Sequence, residues 1–187
     1  MPVRGNQMTT LSGDRIMLRE YLPSDSEEIN RWRVDEKTTR WMGPKFRKTG
    51  TLHDVRERLK ELSMNPPADG LFYAIADKGS SRYIGGIDLT SIDWIAGNAV
   101  LSLVVGAETD RNHGYGGEAV DLLLGYAFHH MGLHRVSLNV CEQNEAAVRC
   151  YIGSGFQVEG RRRDEVFLNG TYYDLIQMGI LQTEYHS

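Results

Sequence analysis

Eight consecutive residues, Arg111-Asn112-His113-Gly114-Tyr115-Gly116-Gly117-Glu118, carry the clearest chemical hint in this chain. Glycines at 114, 116 and 117 leave backbone N–H groups uncovered just where a helical pattern begins. Amides without an intrahelical partner, together with the helix dipole, make such a turn a ready anion site. An ordinary glycine-rich loop is the competing reading. Two phosphate motifs are excluded. No fitting GxGxxG follows an N-terminal strand, and no acidic residue is placed for a ribose. No lysine follows the glycines as in GxxxxGK[ST]. A phosphate site with neither that lysine nor an obvious magnesium ligand suggests holding a pyrophosphate rather than transferring a phosphoryl group.

Other reactive side chains are dispersed. The six histidines are scattered, His129 and His130 face different directions on a helix, and no HExxH or compact Cys/His/Asp cluster exists, so no metal site is expected. Cys141 and Cys150 do not form a CxxC pair and read as apolar packing residues, one on a strand and one on the next helix.

The elements that must position the glycine-rich turn are legible around it. Residues Met1 to about Thr10 read as a loose terminus. Arg15–Glu20 fits a first strand, with Ile16 and Leu18 on one face. A helix follows from about Ser24 to Glu36, with Ile29 and Trp32 on its apolar side. Gly43-Pro44 is a breaker. Thr51–Ser63 fits a second helix through Leu52, Val55, Leu59 and Leu62. Leu71–Asp77, Tyr83–Ile92 and Asn98–Gly106 read as an antiparallel meander, turning at Ser80-Ser81 and Trp94–Gly97. Val104-Val105-Gly106 departs from strict alternation, which permits a bulge or splay. Glu118–Met131 then carries Ala119, Leu122, Leu123, Tyr126 and Ala127 on a helix face. Arg135–Val140 is a short strand, and Asn144–Ser154 a short helix closed by Gly155. Phe156–Phe167 and Tyr172–Leu181 flank Asn169-Gly170, a strong hairpin signal. The strand Ala99–Val105, the helix and Arg135–Val140 resemble a βαβ crossover with the glycine-rich turn at its start.

The 187 residues suit one domain with a substantial core, and 41% hydrophobic with 25% charged residues is a globular composition. A net charge of −4 gives no support to nucleic-acid binding. No run approaches the ~18 apolar residues of a membrane span. No signal-peptide apolar region stands at the N-terminus, so a cytoplasmic protein is expected.

Arg111-x-x-Gly114-x-Gly116-Gly117 resembles the acyl-CoA-binding motif of the GNAT family of N-acetyltransferases. Glu118-Ala119 continues it as in the subgroup that includes ribosomal-protein N-terminal acetyltransferases and spermidine acetyltransferases. Asn144-Glu145-Ala146-Ala147, Tyr151-Ile152-Gly153-Ser154-Gly155-Phe156, Glu159-Gly160 and the hairpin Asn169-Gly170-x-Tyr172-x-Asp174 also resemble that family, over roughly residues 13 to 182. The resemblance implies a mixed α/β (α+β) fold. Its central, mostly antiparallel sheet would have about seven strands, splayed between the fourth and fifth and flanked by about four helices.

The same resemblance implies acetyl-CoA as cofactor, its pyrophosphate on the amides of Arg111, Asn112, His113, Gly114, Tyr115, Gly116 and Gly117. The pantetheine arm would run along the backbone of Leu103, Val104 and Val105, with the Val105 amide a modest oxyanion donor. Asn144 would contact that arm or cap its own helix. Tyr151 falls where the family commonly carries a tyrosine near the sulfur, and a hydroxyl there could protonate the departing thiolate. Glu20, Asp88, Asp93, Glu108 and Asp110 are candidate bases, beside deprotonation through ordered water. Trp32, Arg33, Trp41, Met42 and Trp94 are candidates to line the acceptor cleft. The expected reaction is direct acetyl transfer to a primary amine in a ternary complex. The acceptor stays open between a protein N-terminus, a polyamine and another small amine such as an amino sugar. A homodimer is compatible with the resemblance. A non-catalytic acyl-CoA-binding or sensing protein is the alternative.

Overall fold

The computed structural model describes residues 8–42 and 50–186. Along the chain run β1 (Leu11–Ser12), β2 (Ile16–Arg19), α1 (Asp25–Arg33), α2 (Glu36–Thr39), α3 (Leu52–Met64), β3 (Leu71–Asp77), β4 (Tyr83–Asp93), β5 (Asn98–Val105), α4 (Tyr115–His129), β6 (Arg135–Cys141), α5 (Glu145–Gly153), β7 (Gln157–Leu168) and β8 (Thr171–Leu181). The strands form one sheet in the order β1-β2-β3-β4-β5-β6-β8-β7. Every pair is antiparallel except β5–β6, the crossover that α4 spans.

Alternation along β3 sorts two cores onto opposite faces of the sheet. Tyr73 and Ile75 join a cluster with Leu123, Leu124 and Phe128 of α4 and with Tyr151 of α5. Ala74, between them, joins Ile29 and Trp32 of α1 and Val55 and Leu59 of α3. The sheet is thus covered by α1 and α3 on one side and by α4 and α5 on the other. The Asn169-Gly170 turn has both residues at positive φ, 49° and 82°, as the two-residue hairpin demands.

Several expected boundaries shift for identifiable reasons. The helix expected over Ser24–Glu36 ends at Arg33, because Asp35 turns extended and caps a separate α2, accepting from the amides of Lys37 and Thr38. The helix expected from Glu118 begins at Tyr115, so the last three residues before Glu118 already belong to it. The sheet has eight strands rather than about seven, the addition being the two-residue β1. Five helices replace about four. The register shift within β4–β5 lies between Thr90 and Asp93, with Ser91 at φ 51°, and not at Val104–Gly106. Gly43-Pro44, and most of the terminus expected to be loose, lie outside the described residues.

Candidate active site

The site is built where β5 and β6 part. The two strands pair only through Asn98–Arg135, Ala99–Val136 and Val100–Ser137. Leu101–Val105 then runs on, paired with β4 alone. This is the splay expected between the fourth and fifth strands, once β1 is set aside. Which backbone groups it frees follows from register. The Gly106 amide donates to the Ile84 carbonyl at 2.9 Å, one step beyond the Gly85–Val105 pair. Even-numbered residues of β5 therefore turn their N–H and C=O toward β4. Those of Leu101, Leu103 and Val105 point into the opening, whereas Val104 spends its own on β4.

The glycine-rich turn closes onto the same place. Gly114 caps α4 at φ 81°, a left-handed conformation that a side chain resists. The first bond of the helix is Glu118 N–H to the Gly114 carbonyl at 3.1 Å. Among the described residues, no protein group accepts from the amides of residues 112–117. Gly116 is closely packed as well: a Cβ there would lie 3.3 Å from Leu103 Cδ2 and 3.5 Å from Cys150 Sγ. This one residue thus brings α4, the freed end of β5 and α5 together. Unpartnered amides and a cradle that a single carbon would fill suit a pyrophosphate with a slender arm beside it.

Contacts that spacing along the chain does not show hold the turn in place. Glu118 accepts from the amides of Arg15 at 2.8 Å and Ile16 at 3.2 Å, and pairs with the Arg15 guanidinium at 2.9 Å. Burial raises this carboxyl, but those three donors together hold it below its ordinary value. Arg15 also donates to the His113 carbonyl at 2.6 Å and lies over the Tyr115 ring. Arg111 does not extend into solvent: its guanidinium donates to the Gly106 carbonyl at 2.9 Å and to the Thr38 hydroxyl. Its side chain clamps α2 to the end of β5.

Asn144 caps α5, its Oδ1 accepting from the Ala147 amide at 3.4 Å. No described residue accepts from its Nδ2, so the cap and a contact outside the protein are compatible. Tyr151 lies two turns further on, 6% exposed and edge-on to Phe156 at 5.8 Å. Burial first, and the neighbouring Cys150 second, push its phenol above the ordinary value, so it stays protonated at neutral pH. Cys141 is buried and Cys150 is partly covered, as packing residues should be.

The expected cleft residues do not all gather. Trp32 is 7% exposed and lies in the core beneath α1, its ring against Gly106. Trp41 stands edge-on to Tyr173 of β8 at 5.7 Å, with the Arg40 guanidinium over its ring, and so joins the end of α2 to the last hairpin. Arg33 is half-buried and its guanidinium reaches Gly50. Met42 packs against the α1–α3 core. Trp94 lies apart from the others, 59% exposed in the β4–β5 turn beside the end of β5 that still pairs with β6, about 10 Å of strand before the opening begins at Leu101.

The candidate bases separate sharply. Asp93 Oδ1 accepts from the amides of Ile95 and Ala96, both at 2.9 Å. Asp110 is buried in a two-pronged pair with Arg82, both contacts 2.8 Å. Glu108 faces Lys37 at 3.3 Å, and Glu20 accepts from the Met8 amide at 3.1 Å. Asp88 has no such partner among the described residues. It pairs across the sheet with Phe72 and Ser102, its Oδ1 is covered and unbonded, and burial pushes its carboxyl up to about 7 against the pull of Arg58.

Known proteins give the same picture. A family model described as Acetyltransferase (GNAT) domain matches residues 15–157. A spermidine N(1)-acetyltransferase of Vibrio cholerae is 31% identical over 132 residues, 71% of this chain and 75% of that one. YdaF of Bacillus subtilis, provisionally named a ribosomal N-acetyltransferase, is 29% identical over 182 residues, 92% of this chain and 94% of that one. The fold superposes on the crystal structure of spermidine N-acetyltransferase from Vibrio cholerae in complex with CoA and spermine, with a TM-score of 0.80 at 23% identity, covering 92% of this chain and 99% of that one. None of these favours a non-catalytic role. The family match covers most of the chain, and this protein belongs to the GNAT acetyltransferases as an acetyl-CoA-dependent N-acetyltransferase.

Proposed function

We propose that the acceptor is a small aliphatic polyamine of the spermidine type. The observation that carries this is the likeness to a spermidine N(1)-acetyltransferase over 71% of the chain. The unpartnered carboxylate of Asp88 on the α1–α3 side of the opening favours a cationic acceptor over a neutral one. A protein N-terminus is the second reading, favoured by the longer but weaker likeness to YdaF.

The roles proposed for individual residues follow from their chemistry. Acetyl-CoA supplies an acetyl group activated as a thioester. The amides of residues 112–117 and the N-terminus of α4 hold its pyrophosphate. The inward-facing backbone of Leu103 and Val105 aligns the arm, and the Val105 amide stabilises charge developing on the thioester oxygen. Tyr151 supplies a proton to the leaving sulfur. The Nδ2 of Asn144 donates to the arm while its Oδ1 caps α5.

Turnover of a panel containing spermidine, short peptides with free N-termini and aminoglycosides tests the acceptor by release of free CoA. Spermidine is expected to exceed any peptide in kcat/KM by at least about tenfold, the equivalent of one well-placed charge contact. Peptides outrunning spermidine would overturn the polyamine reading. A second prediction separates the two duties of Asn144. Asn144→Ala is expected to lower stability by about 1 kcal/mol through loss of the cap. Asn144→Asp retains a capping oxygen but no donor, so it should melt as the parent does while acetyl-CoA affinity drops about tenfold. Calorimetric binding beside thermal melts checks both.

A further inference from the structure

Of the five carboxylates that could serve the acceptor, Asp88 alone has no donor among the described residues, and its place in the sheet gives that isolation a use. Alternation puts Asp88 on the face of Ala74 and Gly86, beneath α1 and α3. Gly86 pairs with Val104, and Tyr21 lies over Gly86 so closely that a Cβ there would strike its hydroxyl. Asp88 therefore sits one strand from β5 and two residues back from Val104, where the sheet has already opened. Two residues of strand span about 7 Å, a gap that the Asp88 side chain and one bridging water together cross.

A bare carboxylate in such a spot costs stability unless something charged arrives to pair with it. The groups around it do not meet that need. Tyr21 and Tyr83 are neutral phenols that burial pushes further up, and Asp88 itself adds to that rise. Arg19 pairs with Asp25 at 2.8 and 2.9 Å, which neutralises its charge although its Nε is left without a partner among the described residues. Arg58, from α3, acts only through space.

We propose that Asp88 receives the acceptor amine as its ammonium and takes, through one bridging water, the proton that must leave before attack. The inference rests on the acetyl-transfer reading with a cationic acceptor. The acceptor nitrogen releases two protons in all. The first passes to Asp88, which freees the lone pair that forms the C–N bond. The second leaves the nitrogen as the C–S bond breaks and passes through water to the Tyr151 oxygen, restoring the proton that Tyr151 gives to sulfur. Asp88 then returns its proton to solvent.

The test uses Asp88→Asn and Asp88→Glu with whichever panel amine the parent acetylates best, so it does not depend on the acceptor's identity. For Asp88→Asn, kcat/KM is expected to fall about 100-fold at pH 7, with acetyl-CoA affinity within twofold of the parent. The parent profile should rise through an acidic limb near pH 7. The variant should instead climb steadily toward the amine's own pKa, about 10.4 for an alkylammonium. Asp88→Glu should recover part of the rate and the limb.

A merely structural aspartate would behave differently on melting. The folded carboxyl is raised from 3.8 to about 7, so the folded state binds the extra proton and stability is lost as pH rises through that window. Asp88→Asn should therefore melt above the parent at pH 8, with the gap closing toward pH 4. An Asp88→Asn protein that keeps the parental kcat/KM and limb, or that loses acetyl-CoA affinity instead, overturns the assignment. A parent that consumes no acetyl-CoA with any amine overturns the underlying reading, and this proposal with it.

Discussion

Gly116→Val is expected to reduce acetyl-CoA affinity by a factor of several hundred. The first added carbon would already lie 3.3 Å from Leu103 Cδ2, 3.5 Å from Cys150 Sγ and 3.9 Å from Val105 Cγ2. Two further methyl groups add to that crowding, and overpacking of this kind costs ~1–3 kcal/mol in the fold alone. Relief requires the first turn of α4 to back away from β5. That movement withdraws the amides of residues 115–117 from any anion they hold, and a hydrogen bond to a charged group contributes roughly 1.5–3 kcal/mol. Gly117→Ala is the internal control, because a Cβ at Gly117 meets nothing within 4 Å. It should melt as the parent does. Calorimetric titration with acetyl-CoA, beside thermal melts of both variants, reads the difference. Unchanged affinity in a folded Gly116→Val protein would remove the donor from this turn.

Tyr151→Phe is expected to lower kcat about 1,000-fold while the dissociation constant of acetyl-CoA moves less than threefold. The substitution deletes one oxygen from a ring held by Phe156 and the α4–α5 core, so packing is preserved. What disappears is a hydroxyl whose pKa is lifted by burial and which therefore keeps its proton at neutral pH. Proton donation to a leaving group is worth about 10²–10⁴-fold in rate. The loss should be smaller with an acetyl donor whose leaving thiol is more acidic, because that thiolate departs with less help. Full activity in Tyr151→Phe, or an equal loss with both donors, would dismiss the proton-donor role.

Much of this arrangement was legible in the chain before any coordinates. Asn169-Gly170 announces its hairpin because few residues accept two consecutive left-handed conformations. The apolar runs of β3 to β6 announce strands, and the glycine-rich turn announces a helix that begins with bare amides. Gly116 and Gly117 are poor helix formers and hide the start of α4; close packing beside Leu103 and Cys150 overrides that propensity. Asp35 looks like one more polar residue of α1 and hides its end, because only the structure shows it capping α2.

The acidic residues could not be sorted from spacing alone. Asp88, Asp93 and Asp110 look equivalent along the chain. Turn amides engage one, Arg82 engages another, and the third is left alone only because its neighbours across the sheet are Phe72 and Ser102. The tryptophans could not be sorted along the chain for the same reason. Trp32 and Trp94 differ by which end of β5 they meet, a fact of pairing rather than of composition.

The three rungs between β5 and β6 have a mechanical consequence. To one side stands a block of five antiparallel strands, to the other a block of three, and the seam between them is the shortest ladder among the long strands. α4 crosses that seam and is pinned on the first block by Glu118, while Tyr185, just past β8, donates to the Asp121 carbonyl at 3.0 Å from the second. A donor bridging the open edges acts as a suture between the two blocks. The seam should be the first place to breathe in the empty enzyme and among the most protected once it is filled. Hydrogen exchange at Leu101, Leu103 and Val105 would then slow with acetyl-CoA far more than exchange in the β7–β8 hairpin. Saturation at about 100 times the dissociation constant would raise global stability by roughly 2.7 kcal/mol.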